Sequence, residues 1–230
     1  MDKRVLVLIR AFNEQDNIVA AVEDVKTECP DLDYIVINDG SSDDTHKRCV
    51  ENGFPIVSLP INTGLDGAFQ TGMKYAYQNG YDVVVQFDGD GQHYAKFIRT
   101  LIEEGENSDV DIVIGSRFHD EKKPFTMRML GSRLMTFIIK ITTRKTIEDP
   151  TSGMRLYKKN LIDKYANAFD LGAEADTLAY LMNKGVTVKE VQVQMKPRVA
   201  GTSYFNISKS MSFMLSMCLS ILFFQWFRKN

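Results

Sequence analysis

Asp88 and Asp90 stand two residues apart at the end of an apolar run, Tyr81–Phe87 (YDVVVQF), with Gln92 and His93 directly after them. Carboxylate and amide oxygens at a strand end can bind a hard divalent cation, Mg2+ or Mn2+, and such an ion keeps positions open for substrate phosphates. Asp-Gly-Asp-Gly is equally good turn chemistry, so the pair gains meaning only from what shares its placement. Asn13-Glu14 follows the apolar run Arg4–Ile9, and Asp39-Gly40-Ser41-Ser42 follows Tyr34–Asn38. Asp39, at such a tip, is placed to accept hydrogen bonds from a nucleotide ribose or base. Asn62–Ala68 (NTGLDGA) is a Gly-containing loop entering a helix, whose amides can face a phosphate. The plain alternative for each cluster is a turn or a helix cap.

The frame for these residues is an alternation of strands and helices. Strands are expected at Arg4–Ile9, Tyr34–Asn38, Pro55–Leu59 and Tyr81–Phe87, with helices over about 15–28, 43–52 and 65–78. Continuous β-branched runs with helices between them imply an α/β fold: a mostly parallel sheet covered on both faces. Ligands of such sheets bind outside the carboxyl ends of the strands, so all three acidic or amide clusters fall on one rim. Further on, Met127–Arg144 has helical spacing with Lys and Arg interleaved, which suits either anionic headgroups or an ordinary core-facing helix. Glu174 and Asp176 open an amphipathic helix, Ala175–Asn183; acids there are expected from the helix dipole alone, so their first role is structural and support of a site the second.

A formal net charge of -2 gives no global basic signature, which argues against a nucleic-acid partner. Cys29, Cys49 and Cys218 are scattered and odd in number, which fits a reducing compartment better than a disulfide framework. The N-terminus runs straight into a strand, and no signal peptide is expected. The C-terminal stretch Met211–Phe227 (MSFMLSMCLSILFFQWF) carries no charge and is bounded by Lys209 and Arg228-Lys229. It is shorter than the ~20 residues that cross a bilayer comfortably. Trp226 and Phe227 suit an interface belt, and Ser208, Ser212, Ser216 and Ser220 form a small-residue stripe suited to packing against another helix. The expected division is a catalytic domain, 1–204, and a membrane-associated helix, 205–230. That helix either spans, lies in the interface, or pairs with a small membrane protein or a second copy; the alternative is a helix packed on the domain.

The series Ala11-Phe12-Asn13-Glu14, Asn38–Asp43, Asn62-Thr63-Gly64 and Asp88–His93 resembles the family 2 inverting glycosyltransferases of GT-A fold. Gly115-Ser116-Arg117, Ser132-Arg133, Asp149–Tyr157 (DPTSGMRLY) and Pro197-Arg198 with Gly201-Thr202-Ser203 resemble its polyprenyl-phosphate branch, of which dolichol-phosphate mannose synthase is the best known. The resemblance covers roughly Val5 to Ser203. It departs at Arg10, where proline is usual, at Asp66, where glycine is usual, and at Tyr204, where a lysine usually ends the last motif.

The resemblance implies a nucleotide-sugar donor (UDP- or GDP-linked) and a polyprenyl phosphate acceptor, joined with inversion at the cytoplasmic face of a membrane. Asp88, Asp90 and Gln92 would hold the cation, which offsets charge developing on the leaving diphosphate. Ala11, Phe12, Asn13, Glu14, Asp39, Gly67, Asp88 and Gly89 would hold the nucleotide. Arg117 and Arg133, with Arg198 and Ser203, would hold the acceptor phosphate, itself ionised and in need of positioning more than of a base. Arg155 is read as pairing with Asp149 to brace a loop beside the site, with contact to a phosphate as the alternative, and His93 as lining the sugar pocket. The alternative reaction extends a glycan hydroxyl in cell-surface polysaccharide synthesis and requires a general base, for which Glu174 or Asp176 is available. A non-catalytic nucleotide-sugar binder or membrane scaffold is a third reading, against which the Asp88/Asp90 pair argues.

Overall fold

The computed structural model describes residues 3–168, 170–197 and 207–223. Seven strands form one sheet in the order β3-β2-β1-β4-β6-β5-β7. These are β1 (Val5–Ala11), β2 (Asp33–Asn38), β3 (Ile56–Ser58), β4 (Val83–Asp88), β5 (Ile112–Ser116), β6 (Arg155–Lys158) and β7 (Val188–Gln192). All neighbours are parallel except β6, which runs against both β4 and β5. The four strands read from the apolar runs are present within a residue or two. The interiors of β1, β2 and β4 are almost fully buried, because helices cover both faces and leave no solvated side for alternation.

Side chains alternate across the sheet. Val7, Ile9, Val85 and Phe87 point to the layer of α1 (Ile18–Glu28), α2 (Thr45–Glu51) and α4 (Lys96–Asn107). Leu6, Leu8 and Val84 point to the layer of α3 (Gly64–Gln78), α5 (Met127–Thr143), α6 (Lys159–Asn167), α7 (Ala175–Asn183) and α8 (Ile207–Leu222). In that second layer Phe69 meets Tyr157 and Tyr165 edge-on or tilted, with ring centroids 5.2 and 5.0 Å away. Such pairs add about 0.5–1.5 kcal/mol each beyond area burial.

α5 begins where the Thr126 hydroxyl accepts from the Met129 amide, and ends at Arg144 in the left-handed conformation (φ 60°). Its buried side carries Met135, Ile138 and Ile139. Its outer side exposes Leu130, Leu134, Phe137 and Ile141, spaced four, three and four residues apart and so on one stripe. α8 packs against α5 and α7, burying Cys218 and Ile221 while exposing Leu215, Leu219 and Leu222. Gly131 has no side chain to obstruct the Met214 thioether, so the two helices approach closely. Of the serine stripe, Ser212 and Ser216 are exposed, and Ser220 donates to Asp176 Oδ2 of α7 at 2.6 Å. Lys209 lies in α8 but its side chain, like residues 224–230 with Trp226, falls outside the described residues. No helix among the described residues is long and apolar enough to cross a membrane. The three cysteines are free and buried.

Candidate active site

A cavity of about 370 Å³ opens at the carboxyl ends of β1, β2 and β4. Ala11, Phe12, Glu14, Asp39, Asp88, Gly89, Asp90 and Gln92 line it, as do Arg10, Gln86 and Glu174. Its far wall is Met129 and Ser132 of α5 with Met214 of α8, and Thr151 to Gly153 form its lip. The strand-tip clusters thus share one chamber, as the topology of a parallel sheet requires. Asn13, Gly67, Arg117 and Arg133 do not line it, and Arg198 and Ser203 lie outside the described residues. Gly67 is inside α3, one turn after Thr63, rather than in the loop.

Several of these residues hold one another before they hold a ligand. Asn13, in the left-handed conformation (φ 54°), accepts at Oδ1 from the Ser42 amide at 2.9 Å and donates its own amide to Ser41 Oγ. Asp39 Oδ1 accepts from the Thr63 amide and hydroxyl at 2.8 and 2.7 Å, and its Oδ2 from Asn62 Nδ2 at 3.1 Å. Asp39 therefore fixes the 62–63 loop, and any contact to a ribose or base uses only the acceptor capacity left over. His93 is behind the rim, not in the pocket. Its Nδ1 accepts from the Asp88 amide at 3.2 Å, its ring packs on Phe87, and burial keeps it neutral by lowering its pKa.

Arg10 is adjacent to Asp88 by strand register. Its Nη2 and Nε donate to Asp88 Oδ1 at 2.6 and 3.2 Å. Burial opposes ionisation of Asp88, and the Arg10 guanidinium outweighs it and holds the carboxyl below the usual range. Gln92 donates its amide to Asp90 Oδ1 at 3.0 Å. No three His, Cys, Asp or Glu side chains gather into a ready metal cage among the described residues. Asp90 and Gln92, oxygen donors on one turn of a cavity wall, still fit a hard cation that takes its other ligands from a diphosphate.

Asp149 is fully buried and is paired with Arg117, not Arg155. Arg117 donates to it from Nε at 2.6 Å, Nη2 at 2.7 Å and the backbone at 3.1 Å, and these bonds overcome burial to lower the Asp149 pKa. Arg155 does brace the loop, through carbonyls: it donates to Ser152, Ala173 and Pro150 at 2.9, 2.7 and 2.6 Å. Arg133 Nη2 donates to the Lys123 carbonyl at 2.6 Å, and both Lys123 and Arg117 lie over the Phe118 ring. Arg117, Lys123 and Arg133 are thus one basic group beside the cavity lip. Sequence reading missed Lys123, which no motif marks. It also missed Ser132 as a wall residue, whose buried hydroxyl has no partner among the described residues.

Glu174 precedes α7 and faces the cavity, where burial, and then the Asp66 carboxylate, push its pKa up to about 7. Asp66 Oδ1 accepts from the Ala173 amide at 2.9 Å, so the aspartate standing where the resemblance implies glycine locks the approach to α7.

Comparison with known proteins agrees with this geometry. The chain is 26% identical to polyprenol monophosphomannose synthase of Mycolicibacterium smegmatis, over 87% of this chain and 80% of that one. It is 30% identical to a UDP-N-acetylglucosamine–dolichyl-phosphate N-acetylglucosaminyltransferase of Methanococcus voltae, over 70% of this chain and 72% of that one. Its fold matches glucosyl-3-phosphoglycerate synthase from Mycobacterium tuberculosis, solved with Mn2+ and UDP-glucose, with a TM-score of 0.71 over 99% of this chain and 80% of that one at 17% identity. Residues 6–166 match the family model described as Glycosyl transferase family 2, and with a GT-A-like mixed sheet carrying the strand-tip cluster, the chain belongs to that family.

Proposed function

We propose that this protein moves a sugar from a nucleoside-diphosphate donor to a polyprenyl monophosphate, with inversion, at the cytoplasmic face of a membrane. The observation that carries the reading is the unlike pair of cavity walls. One wall is polar strand tips; the other is a helix pair whose outer faces expose Leu130, Leu134, Phe137, Leu215 and Leu219. A soluble monomer seldom leaves so continuous an apolar stripe bare, and an amphipathic surface of this kind lies in a lipid interface without spanning it. The polyprenyl-phosphate enzymes among the relatives support the acceptor class.

In this reading Ala11 to Glu14 and Asp39 seat the nucleoside at the edge of β1 and β2. Asp90 and Gln92 would hold a divalent cation, which would supply positive charge to offset that of the leaving diphosphate. The acceptor phosphate is already a nucleophile. Arg117, Lys123 and Arg133 gather it at the lip and offset its repulsion from the donor. Arg117 also positions the 149–153 loop through Asp149. A bound second copy or a small membrane protein would use the same outer face of α8.

The test gives membranes containing the protein labelled UDP- and GDP-sugars, polyprenyl phosphate and Mn2+. A metal-dependent, mild-acid-labile lipid product is expected. Donor hydrolysis without lipid product overturns the acceptor. One feature favours a second acceptor class: Glu174, with a pKa near 7 inside the cavity, is poised as a general base for a sugar hydroxyl. In that case Glu174→Gln abolishes transfer to glycan acceptors, whereas transfer to a lipid phosphate survives it.

A further inference from the structure

β7 closes one edge of the sheet, and its side chains alternate between the two faces. Glu190 and Gln192 share the face on which Val188 and Ile114 pack toward the α5 layer; Glu190 stands beside Ile114 of β5 and Gln192 beside Ser116. A residue needed there only to cover the sheet would be apolar. Glu190 is instead a carboxylate, 8% exposed, and burying it is costly unless its oxygens are bonded. Its Oε2 accepts from the Glu148 amide at 2.7 Å and its Oε1 from the Asp149 amide at 2.8 Å. Gln192 uses both ends of its amide. Oε1 accepts from the Asp120 amide at 2.8 Å, and Nε2 donates to the Arg117 carbonyl at 3.1 Å and the Val193 carbonyl at 3.0 Å.

Two side chains of one short strand thus hold the backbones of both members of the Arg117–Asp149 ion pair, from 75 and 41 residues away in sequence. These bonds fix where each charged side chain starts, and the ion pair then has one orientation open to it. Arg117 turns its Nε–Nη2 edge to Asp149, which leaves the Nη1 edge for an oxyanion. Glu190 also bears on the third cation of the group. Burial works against the charge of Lys123, and Glu148, Asp149 and Glu190 favour it.

We propose that Glu190 and Gln192 are positioning residues for the acceptor phosphate: Glu190 sets the backbone of Asp149 and Gln192 that of Arg117, so that the guanidinium is aimed before the acceptor arrives. The inference rests on the reading of Arg117, Lys123 and Arg133 as the acceptor-phosphate group, and it names what fixes that group's geometry.

The experiment measures KM for polyprenyl phosphate and for the labelled nucleotide sugar separately, with the full chain in membranes, beside the melting temperature of each variant. Glu190→Gln keeps the side-chain volume but turns an amide donor toward one of the two backbone N–H groups. It is expected to raise the acceptor KM by about tenfold and to leave the donor KM unchanged. Gln192→Leu is expected to raise the acceptor KM by about threefold, again without effect on the donor. A residue that only stabilised the fold would lower the melting temperature or the active fraction and leave both KM values in place. In an Arg117→Lys background, which lacks the two-pronged bond to Asp149, Glu190→Gln is expected to add less than about twofold. An unchanged acceptor KM in Glu190→Gln overturns the inference, as do equal rises in both KM values or an undiminished effect in the Arg117→Lys background. If Glu190→Gln does not fold, Gln192→Leu, at a half-buried position, decides by the same split. If the wild type makes no lipid product from any UDP- or GDP-sugar, the acceptor reading fails and this inference with it. If the wild type makes the product and the variants keep its acceptor KM, only the present inference fails.

Discussion

On the strand-tip side, polar residues are held by partners distant in sequence: Asn13, beside the cavity, by Ser41 and Ser42, and, on its lining, Asp39 by Asn62 and Thr63 and Asp88 by Arg10. On the helical side, Met129, Ser132 and Met214 come from two helices that expose apolar outer stripes, and the buried Ser132 hydroxyl has no partner among the described residues. The first wall is pre-organised for one ligand geometry. The second is apolar, with few polar bonds to fix it. In the proposed reaction a rigid, charged recess would take the donor and an apolar wall the lipid, opposite demands that different elements of the fold would meet.

The contrast is sharpest at Asp90, the proposed cation ligand. Asp90→Ala is expected to lower transfer by about 10³-fold with the fold retained; a near-wild-type rate in the labelled-lipid assay would remove the cation from the strand-tip wall. Next comes the brace between the two walls. Arg117→Ala leaves Asp149 charged and fully buried without its partner, which is expected to cost about 3 kcal/mol in urea unfolding. Adding Asp149→Asn should restore part of that loss.

Glu174 gives a pH-dependent effect from the cavity floor. Its pKa, about 7, exceeds the 4.5 of an ordinary glutamate, so the folded chain binds the proton more tightly than the unfolded one. That contribution is complete below about pH 4.5 and is lost as the pH rises to 7. The wild type is expected to lose about 2 kcal/mol relative to Glu174→Gln between pH 5 and pH 8, read from melting curves. The smallest effect belongs to the outer stripe. Leu134→Glu and Leu219→Glu should each weaken binding to anionic vesicles by about tenfold and leave nucleotide binding intact. A loss of nucleotide binding in these variants would show that the two walls are not separable.

Much of the strand-tip wall was legible because its signals are local. An apolar run ending in Asn-Glu, Asp-Gly-Ser or Asp-Gly-Asp marks a strand tip, and parallel topology places all the tips together. The partners were not legible. Arg10 and Asp88 are 78 residues apart and meet only through the register of β1 on β4. Arg117, not Arg155, is the partner of Asp149 although it follows β5 and is 32 residues away in sequence, while Arg155, in the same motif as Asp149, reaches the loop carbonyls instead. β5, β6 and β7 are five, four and five residues long, too short for a periodic signal. The helical wall was legible as one basic amphipathic segment and one uncharged apolar segment; their contact with each other was not, because the exposed and buried sides of each helix are both apolar.

The reversal of β6 also has a consequence during synthesis. β1 to β3 and β4 can pair as soon as they emerge, but the second edge of β4 (VVVQFD) waits for β6, which begins at residue 155. At ribosomal speeds the intervening chain takes roughly 3–13 s to appear. For that interval an apolar strand presents unpaired amides and carbonyls to the cell, an open invitation to pairing with other chains. The window in which this edge is open to pairing with other chains is thus one defined stretch of translation, closed when β6 emerges.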